Sequence, residues 1–255
     1  IRLLILLSLT NAAYASIGEV TETTGSGVIL RESSLFDADL AVPVNMDDEV
    51  KTAKGVVGIT FDDDTQVKVG EHSELIIDNF VYDPTSSSGS LGLLVTMGTV
   101  KYSSGQLAHN NPDSVDIKTP SATIAVRGTA FSMTVNELGD SLIVLLPNSD
   151  GSVGEIVVET DVGQVILNRA FQLTATFNRD AAPTPPAIIQ LTEDQINNLM
   201  IVSPPIKSKE DKMFIGKLQW IIYSYLVHKG LLIVEDPYFG YNDSRIEKYK
   251  DRLSF

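Results

Sequence analysis

The chain has 255 residues, a mass of 27.7 kDa and a formal net charge of −14 at neutral pH. Such acidity leaves no basic footprint for nucleic acid or anionic lipid as a main partner. With no cysteine, disulfides, thiolate zinc sites, iron–sulfur clusters and cysteine nucleophiles are excluded.

Residues 1–15 have the order of an export signal. Arg2 precedes an apolar run at 3–9, and the small-x-small tripeptide Ala13-Tyr14-Ala15 follows. The run is too short to span a membrane as a helix. Cleavage after Ala15 is expected, with the remainder working in the periplasm or outside the cell. Charge then divides the chain: residues 16–206 carry 9 basic and 26 acidic side chains, and residues 207–255 carry 9 and 7.

Residues 16–180 read as one all-β domain. Short segments rich in Val, Ile, Thr and Phe fall at 27–31, 55–61, 65–69, 73–81, 91–97 and 100–102. Others follow at 115–118, 123–126, 130–135, 141–146, 154–160, 164–167 and 171–177. Gly, Asp, Asn and Ser punctuate them. Asp62-Asp63-Asp64 predicts a hairpin turn between two of these strands, and Asp150-Gly151 predicts another. No helical period of useful length precedes residue 190, which disfavours parallel α/β folds. A multi-stranded sandwich, a barrel or a solenoid-like coil remains.

The C-terminal region differs. Residues 181–190, with Pro183, Pro185 and Pro186, read as a stiff linker. Residues 191–255 read as a small helical extension. Thr192 can cap a helix that runs to about Met200, with Gln195 at the capping-box position. A longer helix is predicted over 209–228, with Phe214, Leu218, Ile221 and Tyr225 at helical spacing and Trp220 widening the apolar face. These five side chains are the expected partner-docking residues. The helix has few cations on its polar side, so packing on protein is favoured over lying on a membrane surface.

No catalytic, cofactor or metal site emerges. His72, His109 and His228 stand far apart, outside any HxH or HExxH spacing. The acidic runs 47–49 and 62–64 lack the spaced ligands of a calcium loop and read as solvated turns. No G-x-S-x-G elbow is present, and nothing pairs a nucleophile with a base. Tyr82 and Tyr102 are the aromatic residues near turns that a carbohydrate binder would use.

The most specific stretch is Thr119-Pro120-Ser121-Ala122-Thr123-Ile124-Ala125-Val126-Arg127-Gly128-Thr129-Ala130-Phe131. Pro120 sets a turn before a strand whose Ala122, Ile124 and Val126 share a face. Gly128 permits a bulge or a positive φ, and Arg127 calls for a carboxylate or carbonyl partner.

This stretch resembles the signature of the FecR-domain family, roughly T-P-x-A-x-x-x-V-R-G-T-x-F. The matching positions are Thr119, Pro120, Ala122, Val126, Arg127, Gly128, Thr129 and Phe131. Gly18, Val20, Gly25 and Arg31 match the family's opening, residues 48–52 its G-D-x-x-x-T, Asp64-Thr65 its D-G-S/T, and residues 97–100 its L-x-G-x-V turn. Asp48 and Asp64 stand where Gly is usual. The resemblance implies an all-β extracytoplasmic module without catalysis or cofactor. It implies a protein partner in the envelope, as a signalling accessory. Exposed strand edges leave a second reading open, a self-assembling surface or matrix protein that binds further copies of the chain.

Overall fold

Alternating apolar and polar residues make this chain a succession of strands. In a computed structural model the described residues are 16–188, without Pro112. The export-signal segment and the predicted helices at 191–200 and 209–228 lie outside them, as do Phe214, Leu218, Trp220, Ile221 and Tyr225.

The elements in order are β1 (Gly18–Arg31), β2 (Ser34–Asp37), β3 (Pro43–Val44), β4 (Glu49–Phe61), β5 (Gln66–Val69), β6 (Glu74–Asp83) and β7 (Ser88–Ser103). Helix α1 (Gln106–Asn110) follows. Then come β8 (Val115–Lys118), β9 (Thr123–Arg127), β10 (Ala130–Val135), β11 (Ser141–Leu146), β12 (Glu155–Thr160), β13 (Gly163–Leu167), β14 (Gln172–Thr176) and β15 (Ala187–Ile188).

All fifteen strands form one hydrogen-bonded sheet that folds over itself, because β1, β4 and β7 are long enough to serve two layers. One layer runs β2–β1–β4–β6–β7–β8–β9–β12–β13, and the other β1–β4–β5–β7–β10–β11–β14–β15. The first half of β7 pairs with β6 and β8, and its second half with β5 and β10. The layers face each other: Phe61 of β4 stacks on Phe80 of β6 with ring centroids 5.4 Å apart. Inward side chains of both layers, among them Val50, Ile77, Leu93, Ile124, Phe131 and Ile143, join one core. Pairing is antiparallel everywhere except β7 with β8. A shared core and antiparallel ladders define a sandwich, which settles the sandwich-or-solenoid alternative.

Where strands pass between layers the ladder breaks, and side chains take over its hydrogen bonds. At the β7 corner Ser73 Oγ accepts from Thr99 N at 2.9 Å and donates to Glu71 O at 3.0 Å, with Thr99 O as the alternative acceptor at 3.3 Å. Thr52 Oγ1 accepts from Ser73 N at 3.0 Å and donates to Gly70 O. Gly98 turns the chain here with φ of +89°. A Cβ on it would lie 2.5 Å from Ser73 Cα.

Several bounds differ from the sequence expectation. β1, β4 and β7 begin earlier, at Gly18, Glu49 and Ser88, while β7 continues past Gly98 as expected. Strand β2 has all four residues exposed, so it carries no alternation to detect. Asp150-Gly151 does not close a hairpin: it lies between β11 and β12, which belong to different layers. Residues 181–186, expected as a spacer, lie against β14. Thr184 N donates to Ala175 O at 2.9 Å, Thr184 Oγ1 accepts from Ala175 N at 2.9 Å, and Pro183 and Thr184 are buried.

Gly98→Ala is expected to lower stability by about 1–3 kcal/mol, from a strained backbone and the collision with Ser73. Urea denaturation checks this, and an unchanged midpoint contradicts it.

Candidate functional site

The signature stretch lies at two crossings between the layers. At the first, the turn before β9 is built from hydroxyl groups. Ala122 N donates to Thr119 Oγ1 at 3.0 Å, and Thr119 N donates to Ala122 O at 2.8 Å. Ser121 Oγ bonds Ser141 Oγ at 2.8 Å and Thr176 Oγ1 at 2.7 Å, and Ser141 Oγ donates to Thr119 Oγ1 at 2.9 Å. All four residues are buried. This chain of hydroxyls ties the turn to β11 and β14 of the opposite layer, so each buried polar atom is satisfied. Arg179 adds 3.4 Å contacts to Thr119 O and Ala122 O. Pro120 holds the turn, and Ala122, Ile124 and Val126 point into the core.

The second crossing is Arg127-Gly128-Thr129, between β9 and β10. Gly128 has φ of +62°, and a Cβ there would lie 2.9 Å from His109 Nδ1. Thr129 is fully buried; its amide donates to Ser104 Oγ at 2.9 Å, and its own Oγ1 accepts from Gly154 N at 3.2 Å. Arg127 is not enclosed: its side chain is 41% exposed and bonds Glu155 Oε1 at 2.7 Å, with Asp113 Oδ1 at 3.7 Å. Glu155 stands directly opposite Arg127 in the β9–β12 ladder, which supplies the carboxylate partner. Such an exposed pair contributes at most about 1 kcal/mol. Phe131 packs in the core against Tyr102, ring centroids 5.4 Å apart and planes tilted by 34°.

The acidic runs are structural at one residue each. Asp48 is fully buried and holds Arg31 through two bonds, 2.7 Å from Nε and 2.8 Å from Nη2. It also accepts from Asn45 N at 2.8 Å. Asp63, expected in a solvated turn, is buried as well. Its carboxylate accepts from Thr65 N at 3.1 Å, Thr65 Oγ1 at 2.8 Å and Leu107 N at 3.2 Å. Its carbonyl accepts from Gln106 N at 2.7 Å. Asp63 thus satisfies the open amides of α1 from a distant turn, while Asp62 and Asp64 remain exposed. Asp47 and Asp64 have φ of +64° and +67°. Asp is among the few residues that enter this region at low cost, so both turns hold their shape without glycine.

Tyr102 is fully buried, so it cannot serve a surface sugar. Its hydroxyl has no hydrogen-bond partner among the described residues. Burial raises the phenol's pKa well above its ordinary range. Tyr82 is half-buried and donates to Gln106 Oε1 at 2.8 Å. Among the described residues no group of three His, Asp or Glu side chains is placed to hold a metal ion. An open hollow of about 260 Å³ at Ser16, Glu19, Thr21, Thr60 and Asp62 contains no histidine or lysine beside its hydroxyls.

The exposed feature that stands out is the outer edge of β2. This strand pairs with β1 alone, and Leu35 and Phe36 are 66% and 42% exposed. Leu40 and Met46 are also exposed. The Arg31 guanidinium lies 5.2 Å from the centre of the Phe36 ring.

These features define an antiparallel β-sandwich whose most specific residues brace its crossings. Residues 48–153 match the family model described as FecR protein. No curated protein matches the chain. Two crystal structures of a proposed anti-sigma factor from Parabacteroides distasonis, at 2.50 and 1.65 Å resolution, are similar to it. Their TM-scores are 0.42 and 0.41 at 13% identity, with 55% of this chain and 59% of that chain covered. The chain therefore spans about three-fifths of their length.

Gly128→Val is expected to lower stability by more than about 1 kcal/mol, because a branched side chain must enter the left-handed region against His109. An unaltered melting curve refutes this. Tyr102→Phe is expected to leave stability at pH 7 unchanged or to raise it by up to about 1 kcal/mol, by removing an unsatisfied buried hydroxyl. A raised phenol pKa in the folded state means its contribution is complete below about pH 10 and is lost as pH rises further. Urea midpoints between pH 8 and 11.5 should fall less steeply for Tyr102→Phe than for the parent.

Proposed function

We propose that this protein is a non-catalytic protein-binding module of the cell envelope, an accessory to sensing or signalling. The observation that carries the reading is where the polar groups of the FecR span are spent. Asp48, Asp63, Thr119, Ser121 and Thr129 all bond the fold itself. A domain whose specific polar residues are committed to its own crossings acts through its surface. The β2 edge supports this, since an open strand edge with apolar side chains accepts another strand. The acidic surface favours a partner with a basic face. The charge–apolar–small order of residues 1–15 supports an envelope location.

A self-assembling surface protein is the second reading, favoured by the same β2 edge, since it presents identical groups to a second copy. Crosslinking mass spectrometry on native envelopes, with the full chain as bait, separates the two. The first reading expects reproducible links to one other envelope protein, lost when Leu35 and Phe36 are both changed to Lys. Links to other copies alone, with light scattering that grows with concentration, select self-assembly. Cytoplasmic fractionation of the chain overturns the envelope location.

A further inference from the structure

The layer containing β10, β11 and β14 is buried on both of its faces. The inward side holds Phe131, Met133 and Ile143. On the other side the ladders align Ser132, Val144, Leu173 and Ala187 in one row across four strands. Their exposures are 3%, 2%, 2% and 8%. Ala130 and Leu146, paired beside that row, are buried too. The apolar members of this set stand outside the core shared by the two layers. Among the described residues α1 is the one helix, and its packing is against β7 and β9. The connections that leave the layer run toward the opposite one: Arg179, after β14, reaches Thr119 O and Asp161. Elsewhere on this outer face, toward β5, the row continues with Lys101, Lys68, Gly58 and Glu22, and its charged members are half-buried rather than buried.

We propose that the outer face of β10, β11 and β14 is the docking surface of the chain's own segment 191–200. Chain continuity names the occupant. β15 ends at Ile188 with Ala187 already in the buried row, and three residues lead to Leu191, a reach of up to about 10 Å. Strands lie about 4.8 Å apart, so β11 is about 10 Å from β15. As a helix, ten residues span about 15 Å, enough to cross β14, β11 and β10. Ile196, Leu199 and Met200 share one face at i, i+3 and i+4, and Thr192 supplies the cap. Ala130, Ser132 and Ala187 are small, which gives the sheet surface a trough for a helix.

The chain lacks cysteine, so a pair of introduced thiols reports proximity cleanly. In the full-length protein Ser132→Cys with Leu199→Cys is expected to give an intramolecular crosslink with a short bifunctional thiol reagent. A crosslink only with Leu218→Cys, a crosslink between two copies, or none at all overturns the proposal. Should that double variant fail to fold, thiol labelling of Ser132→Cys alone decides. Labelling is expected at least ten-fold slower than at the exposed Ser86→Cys, and at least ten-fold faster once Ile196→Asp and Leu199→Asp are added. Labelling as fast as at Ser86→Cys, or unchanged by the two Asp substitutions, overturns it.

Discussion

Three strands that each serve two layers impose the constraint on which this fold depends. A strand leaving one layer for the other abandons its ladder partners at the bend. The backbone groups freed there are buried and must find new ones. Thr52 and Ser73 meet that need at the β7 corner, each hydroxyl donating to one carbonyl and accepting from an amide. Without these side chains the bend would bury unsatisfied peptide groups, each costing about 1–3 kcal/mol. The same demand recurs elsewhere. Thr119, Ser121, Ser141 and Thr176 answer it before β9, Ser104 and Thr129 before β10, and Asp63 at the entry to α1.

This explains why the most specific residues of the chain are not a surface site. Positions that repair a broken ladder admit few alternatives, since each needs a short side chain that both donates and accepts. A strand interior admits many, because Val, Ile or Leu fills the core about equally well. The T-P-S-A and R-G-T pieces are thus marks of chain crossings. Arg127 is the exception in character: its guanidinium is at the surface, joined to Glu155 across a ladder, and braces the crossing from outside. The part of the molecule available to a partner lies elsewhere, on strand edges and outer faces.

How much was legible follows from the same geometry. The short strands β8, β9, β10 and β11 were readable within a residue, because each alternates or runs apolar between clear turn signals. The bends were not. Gly98 reads in sequence as a turn or bulge within a continuing strand, which β7 is, but nothing local reports that the continuation lies in the other layer. Strand β2 has no buried face, so nothing in its pattern reports it. Asp63 was unreadable for a different reason. Three consecutive aspartates look equally solvated, and only the arrival of α1 from some forty residues away makes the middle one a buried acceptor. The proline-rich stretch looked like a spacer because proline stiffness is a local property, whereas Thr184's bonds to β14 are not.

Hydrophobic pattern also distinguishes the open half of the second layer from the covered half. β5 reads Gln66-Val67-Lys68-Val69, strictly alternating, and only its valines are buried. β11 reads Ser141-Leu142-Ile143-Val144-Leu145-Leu146, five apolar residues in succession. A strand with water on one side has no use for a second apolar face, since each exposed Leu or Val forgoes about 1.5–3 kcal/mol of burial. The two strands lie in the same layer, separated by β7 and β10, so the change of pattern marks where solvent ends. At that boundary Lys101 is half-buried, while its ladder neighbour Ser132 is buried. The sequence of each strand therefore records the environment of both its faces, and in this layer the two faces differ along its width.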